Sequence, residues 1–135
     1  MDNVSPRRRS EIMARVRAKN TAPEMRVRRL VFSMGYRYRL HDRSLPGTPD
    51  LVFRSPRKVI FVHGCFWHMH ARCALARMPK SRLEFWRPKL EANRERDRKN
   101  VARLRRTGWR VLVVWECELT KLVPLSIRIR RFLDA

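Results

Sequence analysis

Four residues have the types and spacing of a closed metal site. Cys65-x4-His70-x2-Cys73 falls in one short stretch, and Cys117 follows 44 positions after Cys73. Three thiolates and one imidazole complete a tetrahedral set for Zn2+, and a set with no open position belongs to a structural ion. The chain has 3 cysteines, an odd number too small for a disulfide framework. By spacing alone His68 serves as well as His70, so the choice of histidine stays open. Three ordinary buried cysteines are the plainer alternative.

A second group has the chemistry to act on phosphate esters. Asp50 follows Pro49 at the start of one apolar run, and His63 ends the next. If the runs are neighbouring strands of a hairpin, Asp50 and His63 come within reach of one Mg2+, held by a carboxylate, a backbone carbonyl, phosphate oxygens and water. Such an ion stabilises charge developing on a scissile phosphate. A neutral histidine nearby, such as His68, has the pKa to deprotonate an attacking water. Taken alone, Asp50 reads equally well as a turn residue, and Glu24 is explained by a capping box with Thr21. Phe66-Trp67 and Phe85-Trp86 adjoin polar, cationic segments. Such pairs suit stacking on bases or wedging between them, although core packing is the usual fate of these side chains.

The balance of charge names the partner class. There are 33 Lys+Arg against 12 Asp+Glu, a formal net charge of +21, and arginine outnumbers lysine 27 to 6. Excess positive charge on this scale calls for a polyanion, and binding that neutralises several phosphates releases counterions. Arginine grips a phosphate at two points and stacks on bases. A hydrophobic content of 44% with a mean hydropathy of -0.54 excludes both a disordered tail and a membrane protein. No apolar signal region follows the charged N-terminus, which makes the expected location cytoplasmic.

These groups need elements to position them. At 135 residues the chain suits one domain, read as 21–135, preceded by a flexible basic arm over 1–20 with Arg7–Arg9, Arg15, Arg17 and Lys19. Thr21-Ala-Pro-Glu24 starts a helix whose buried face is Val27, Leu30, Val31 and Met34, and Gly35 stops it. Tyr36–Leu40, Asp50–Phe53 and Lys58–His63 read as three strands, with turns at Leu45–Pro49 and Ser55–Arg57. A loop from Gly64 to about Lys80 holds the Cys and His residues. A charged helix spans Glu84–Thr107, with Pro88 near its start and Gly108 at its end. Trp109–Glu116 is an apolar strand, its tryptophans placed in the core, and Leu119–Leu133 forms a last helix that Pro124 is placed to interrupt. The order predicts an α/β fold: a three-stranded meander joined by a fourth strand after a helical crossover, a mixed sheet flanked by helices.

Five motifs in this order, Pro46-Gly-Thr-Pro-Asp50, Val59–His68 (VIFVHGCFWH), Glu84-Phe-Trp86, Glu95-Arg-Asp97 and Gly108–Cys117 (GWRVLVVWEC), closely resemble the very-short-patch repair (Vsr) mismatch endonucleases from about Ser10 to Cys117. The resemblance implies a restriction-endonuclease-like fold. It also implies an enzyme that nicks one DNA strand 5′ of the thymine in a T:G mismatch, arising where 5-methylcytosine deaminates. By likeness, Asp50 and the backbone carbonyl of Val62 hold Mg2+, His63 assists at the scissile phosphate, His68 is the general base and Glu24 supports the site. Cys65, His70, Cys73 and Cys117 hold Zn2+, while Phe66, Trp67 and Trp86 wedge into the DNA. Double-stranded DNA with a T:G mismatch is the implied partner, with mismatch-repair proteins beside it, no membrane contact and a monomer as the working unit. The chain departs from the pattern at Val62, where better-known members carry Thr. It departs again at Ala71-Arg72, two residues where the family has one between its zinc His and the next Cys, so a local bulge is expected. Two other readings fit the same residues: a nuclease of this fold with another target, such as a lesion or restriction site, and a non-catalytic zinc-stabilised DNA-binding module.

Overall fold

Alternation along three strands divides the apolar residues between two faces of one sheet. Leu51, Ile60, Leu112 and Val114 point into one core, and Val52, Val59, Phe61, Val111 and Val113 into another, the period of two that a pleated strand imposes. In the computed structural model, which describes residues 20–78 and 81–135, these strands are β2 (Leu51–Arg54), β3 (Arg57–His63) and β4 (Arg110–Trp115), with a short β1 (Arg39–Leu40) at the edge. The sheet order is β1-β2-β3-β4. The first three strands are antiparallel, and β4 lies parallel to β3 with His63 opposite Trp115. The expected meander and crossover are therefore both present. The basic arm of residues 1–20 lies, except for Asn20, outside the described residues.

Helices cover both faces. On one, α1 (Ala22–Ser33) buries Val27 and Val31 beside Leu125 and Ile129 of α3 (Leu122–Asp134); on the other, α2 (Leu83–Arg106) buries Leu104. The result is a mixed α/β structure with a four-stranded sheet between helical layers. No helix of the described residues is long and apolar enough to cross a membrane.

Several boundaries depart from expectation for local reasons. The first strand shrinks from Tyr36–Leu40 to two residues because its tyrosines are tied to α1: the Tyr36 N–H donates to Val31 O at 3.3 Å, and the Tyr38 hydroxyl donates to Arg28 O at 2.8 Å. Half of the capping box forms. The Thr21 hydroxyl accepts from Glu24 N at 3.4 Å, but Glu24 reaches past the cap residue to accept from Asn20 N at 2.9 Å. At the C-terminal end, Glu116–Thr120 is a 3-10 turn and α3 starts only at Leu122. Pro124 is then the third residue of α3, where its missing N–H would have had no helical partner, so it does not interrupt the helix.

Lys58 is a buried cation on the central strand, 1% exposed. Its ammonium donates to Phe132 O, Leu133 O and Ala135 O at 2.8 to 2.9 Å, serving carbonyls at the end of α3 that lack helical partners. Replacement by Met is expected to keep the fold but lower its stability by about 2 kcal/mol, the cost of stranding buried acceptors. Denaturant melting measures this, and an unchanged midpoint would show that the three bonds contribute nothing.

Candidate active site and metal cluster

The loop 41–50 is the first device that builds the site. Gly47 has φ +78, and a Cβ there would stand 3.0 Å from the Asn100 side chain and 3.1 Å from the Phe61 ring. Only glycine lets this turn press against both α2 and β3. His41 at the loop's start has φ 48, an uncommon conformation for a side-chain-bearing residue. The loop delivers Asp50 to the start of β2, beside the C-terminal ends of the parallel strands β3 and β4.

A cavity of about 910 Å3 opens there. On one wall Glu24 of α1, His41 and Asp50 converge. The ring nitrogen His41 Nε2 lies 2.7 Å from Glu24 Oε2 and 4.0 Å from Asp50 Oδ1, and Asp50 Oδ2 accepts from Val62 N at 2.7 Å. Burial pushes the Asp50 carboxyl up to about 7; the Val62 N–H opposes this, and the neighbouring Glu24 carboxylate adds to the rise. On the other wall His63, His68 and Asp97 converge. The two imidazoles stack with centroids 3.9 Å apart and planes 5° from parallel. His68 Nδ1 forms a tight hydrogen bond with the Asp97 carboxylate, which fixes the ring and leaves Nε2 as its remaining nitrogen. Burial, aided by His68, drives the His63 pKa down to about 3, so the ring is neutral. Its buried Nδ1 finds no hydrogen-bond partner among the described residues.

Asp50 and His63 thus face one cavity, but they fall into two ligand groups and not one. His63 stacks on His68, while Asp50 keeps to the wall with Glu24 and His41. Val62 lines the same cavity with its N–H committed to Asp50. Two residues that the sequence reading did not single out as site residues complete the walls. Asp97 has a signal in the sequence, since Asn93, Asp97 and Asn100 form one polar stripe at helical spacing on α2. His41 has none, being placed by a loop.

Beside the cavity, Cys65, His70, Cys73 and Cys117 bring one ligand atom each within 4.8 Å of the others. His70 Nδ1 lies 3.6 Å from Cys65 Sγ and 3.4 Å from Cys117 Sγ. A tetrahedral zinc with metal–ligand bonds of about 2.0 to 2.3 Å separates its ligands by about 3.5 Å, so the spacing suits that ion. Spacing alone left His68 and His70 as alternatives; the fold gives His70 to the sulfurs and His68 to Asp97. The expected bulge falls at Arg72, whose φ is 57. Trp115 stacks on His70 with centroids 4.1 Å apart and meets His63 edge-on, so this residue, placed in the core by sequence, ties the cluster to the cavity. Without a cation, burial pushes the Cys65 thiol up to about 12.

The aromatic residues of the loop and of α2 form one cluster beside the cavity. Trp67 and Trp86 are 8% and 6% exposed and pack edge-to-face around Leu90. Both are core residues of the DNA-free protein, so inserting them into DNA calls for this small cluster to open. Phe66 is half-buried, lines the cavity and covers the two indoles.

Comparison with known proteins gives a consistent family. A family model described as DNA mismatch endonuclease Vsr matches residues 1–75. The chain is similar to the type II nicking enzyme V.XorIIP of Xanthomonas oryzae pv. oryzae, 57% identical over 133 residues, 98% of this chain and 97% of that protein. It is 49% identical over 111 residues to the DNA mismatch endonuclease Vsr of Escherichia coli K12, covering 82% and 70% of the two chains. The type II nicking enzyme V.NmeAIP of Neisseria meningitidis is 41% identical over 130 residues, 96% of this chain and 92% of that protein.

The two perturbed groups have opposite effects on stability. A carboxyl raised from 3.8 to about 7 leaves the folded protein holding more protons than the unfolded chain, so its contribution is lost as pH rises from about 4 to 7. His63, lowered from 6.5 to about 3, contributes stability that grows as pH rises through the same range. In EDTA, Asp50→Asn is expected to gain stability relative to the parent as pH increases from 4 to 7, with a plateau above. Chemical denaturation at several pH values measures the difference, and a pH-independent difference would overturn the shift.

Proposed function

The chain belongs to the Vsr family of DNA mismatch endonucleases, and from that premise we propose that it nicks one strand of duplex DNA 5′ of the thymine in a T:G mismatch by Mg2+-dependent hydrolysis. The supporting observation is the pairing of His68 with Asp97 opposite Asp50 across one cavity. A base held by a carboxylate and facing a hard-cation ligand is what water attack on a phosphodiester needs. The mixed sheet between helical layers agrees with the restriction-endonuclease-like fold that the motifs imply.

Asp50 with the Val62 main chain would hold Mg2+. The donors fit: a carboxylate kept at high pKa by burial and by Glu24 lacks the positive charge that would ionise it. Bound there, the ion would supply charge neutralisation at the scissile phosphate. Glu24 and His41 support Asp50 from behind. His68 removes a proton from the attacking water at Nε2 while Asp97 stabilises the ring as it becomes cationic, the role of the carboxylate in other histidine dyads. Neutral His63 stacks on its ring and lines the same cavity, where it would assist at the scissile phosphate. Phe66 is the aromatic placed to meet the bases at the cavity edge.

We assign Zn2+ to Cys65, His70, Cys73 and Cys117 as a structural ion. Ligation needs thiolates, and the elevated Cys65 pKa means that the cation must drive its ionisation. The folded protein is expected to carry about one equivalent of zinc that survives mild EDTA dialysis; a stable protein purified without any would overturn this assignment.

Nicking of duplexes with T:G, with other mismatches and with no mismatch, in Mg2+ and in EDTA, tests the activity. Cleavage of T:G alone, dependent on Mg2+ and reduced at least a hundredfold in Asp50→Ala and in His68→Ala, is expected. Equal cleavage of matched duplex would favour a nicking enzyme with another target, and binding without cleavage would favour a DNA-binding module.

A further inference from the structure

A second recess lies across the loop 41–50 from the cavity. Its volume is about 630 Å3, and its walls include Arg54 of β2, Arg57 at the start of β3, Arg103 of α2 and the half-buried Trp109. No acid lines it. Asp42 holds Arg54 from outside at 2.6 Å, while Arg57 and Arg103 have no acidic partner among the described residues. Arg57 lies over the turn that ends α2, 3.8 Å from where a Cβ on Gly108 would stand. The carbonyls at that helix end would repel an anion if they were open. Three of the last four are occupied: Thr107 N donates to Arg103 O and Leu104 O, Gly108 N to Arg105 O and Trp109 N to Leu104 O.

We propose that this recess is a second phosphate-binding site, in which Arg57 and Arg103 grip the backbone of the same DNA several nucleotides from the bond that is cut. The inference rests on the reading that DNA is the substrate. Three guanidinium groups from three different elements converge, and the bidentate fit of guanidinium to phosphate favours Arg over Lys in such a place. The indole of Trp109 supplies an apolar wall against which a deoxyribose would lie.

Position supports a DNA backbone over a small anion. The recess and the cavity share the loop 41–50 as a common wall and follow one another along α2, from Asn100 to Arg103. Along β2 and β3 the offset from Asp50 to Arg54 and from His63 to Arg57 is about 13 to 20 Å at 3.3 Å per residue. At 3.4 Å of helix axis per nucleotide of one strand, an offset of that size aligned with the duplex axis spans about four to six phosphates. The recess would then fix the duplex in register with the catalytic wall, a positioning contact that carries no sequence information.

The test is equilibrium binding in EDTA to a T:G duplex, comparing the parent with the double variant Arg57→Gln, Arg103→Gln. A control pair, Arg29→Gln with Arg131→Gln, removes the same charge elsewhere. About tenfold weaker binding is expected for the recess variant, with the slope of log K against log salt shallower by about one, as for one lost phosphate contact. Trimming one flank of the duplex to fewer than about four base pairs should abolish the difference when that flank is the one in the recess. Equal losses in both variants would reduce the effect to net charge and overturn the proposal, as would a difference that ignores flank length. Calorimetry with inorganic phosphate separates the other source: phosphate binding lost in the variant while duplex binding is unchanged would make the site one for a free anion. Because binding needs no cleavage, a protein that never nicks T:G still reports on the recess, whereas failed nicking counts against the catalytic reading alone.

Discussion

Parallel pairing of β3 with β4 is the constraint on which both centres depend. The ladder runs from Lys58 opposite Arg110 to His63 opposite Trp115, and both strands end at the same level. Two residues beyond each end stand Cys65 and Cys117, with the Cys117 N–H donating to Cys65 Sγ at 3.4 Å. One register therefore places a cysteine from each strand side by side and sets His63 against Trp115. On its other edge β3 pairs with β2, and that register brings the Asp50 carboxylate to the Val62 N–H. A slip of one residue on either side would turn His63 or Asp50 to the opposite face of the sheet. The buried Lys58 anchors the far end of the same strand to α3.

The distribution of charge follows from this convergence. A chain with +21 and only 12 acids places four of them, Glu24, Asp50, Asp97 and Glu116, around one cavity, together with three of its 4 histidines. The Arg43 and Arg96 side chains line it as well. Net positive charge favours association with a polyanion, while the few carboxylates are concentrated at one cavity. Negative charge is costly to bury in isolation. Here each carboxylate has a partner: Glu24 has His41 and the Asn20 N–H, Asp50 has the Val62 N–H, and Asp97 has His68. Glu116 accepts from Cys65 N at 3.2 Å, which joins the cavity to the sulfur cluster.

The order of elements was legible from apolar periodicity, because alternation in β2, β3 and β4 has a strong physical cause: burial on both faces. The sulfur cluster was legible from cysteine arithmetic. What sequence reading lost came from contacts between distant segments. His41 is brought to Glu24 by a loop with no periodic pattern, and the shortened first strand results from tyrosines that bond to a helix. The stripe Asn93-Asp97-Asn100 was present as a pattern, but a charged helix in so basic a chain reads as a solvated surface. For Trp67 and Trp86 the sequence left core packing and stacking on DNA side by side, and the fold packs both into a small apolar cluster.

On the proposed function, that cluster would bear on how a mismatch is chosen. Charge attaches the protein to any phosphate backbone with little regard to sequence, so +21 supplies affinity and no selection. Selection requires an energy that differs between a T:G pair and a matched one, and a weakened step is cheaper to open. An aromatic side chain collects that difference only if it is available to stack. Phe66 meets this condition, because it already sits at the cavity edge, backed by two indoles that hold it from behind. Inserting Trp67 or Trp86 would first require breaking their mutual packing and that with Leu90, a cost set against every base pair alike. On that reading, a packed indole base under one available ring would favour discrimination, because it would keep the cost of inserting the probe small and constant while the cost of opening the DNA varies.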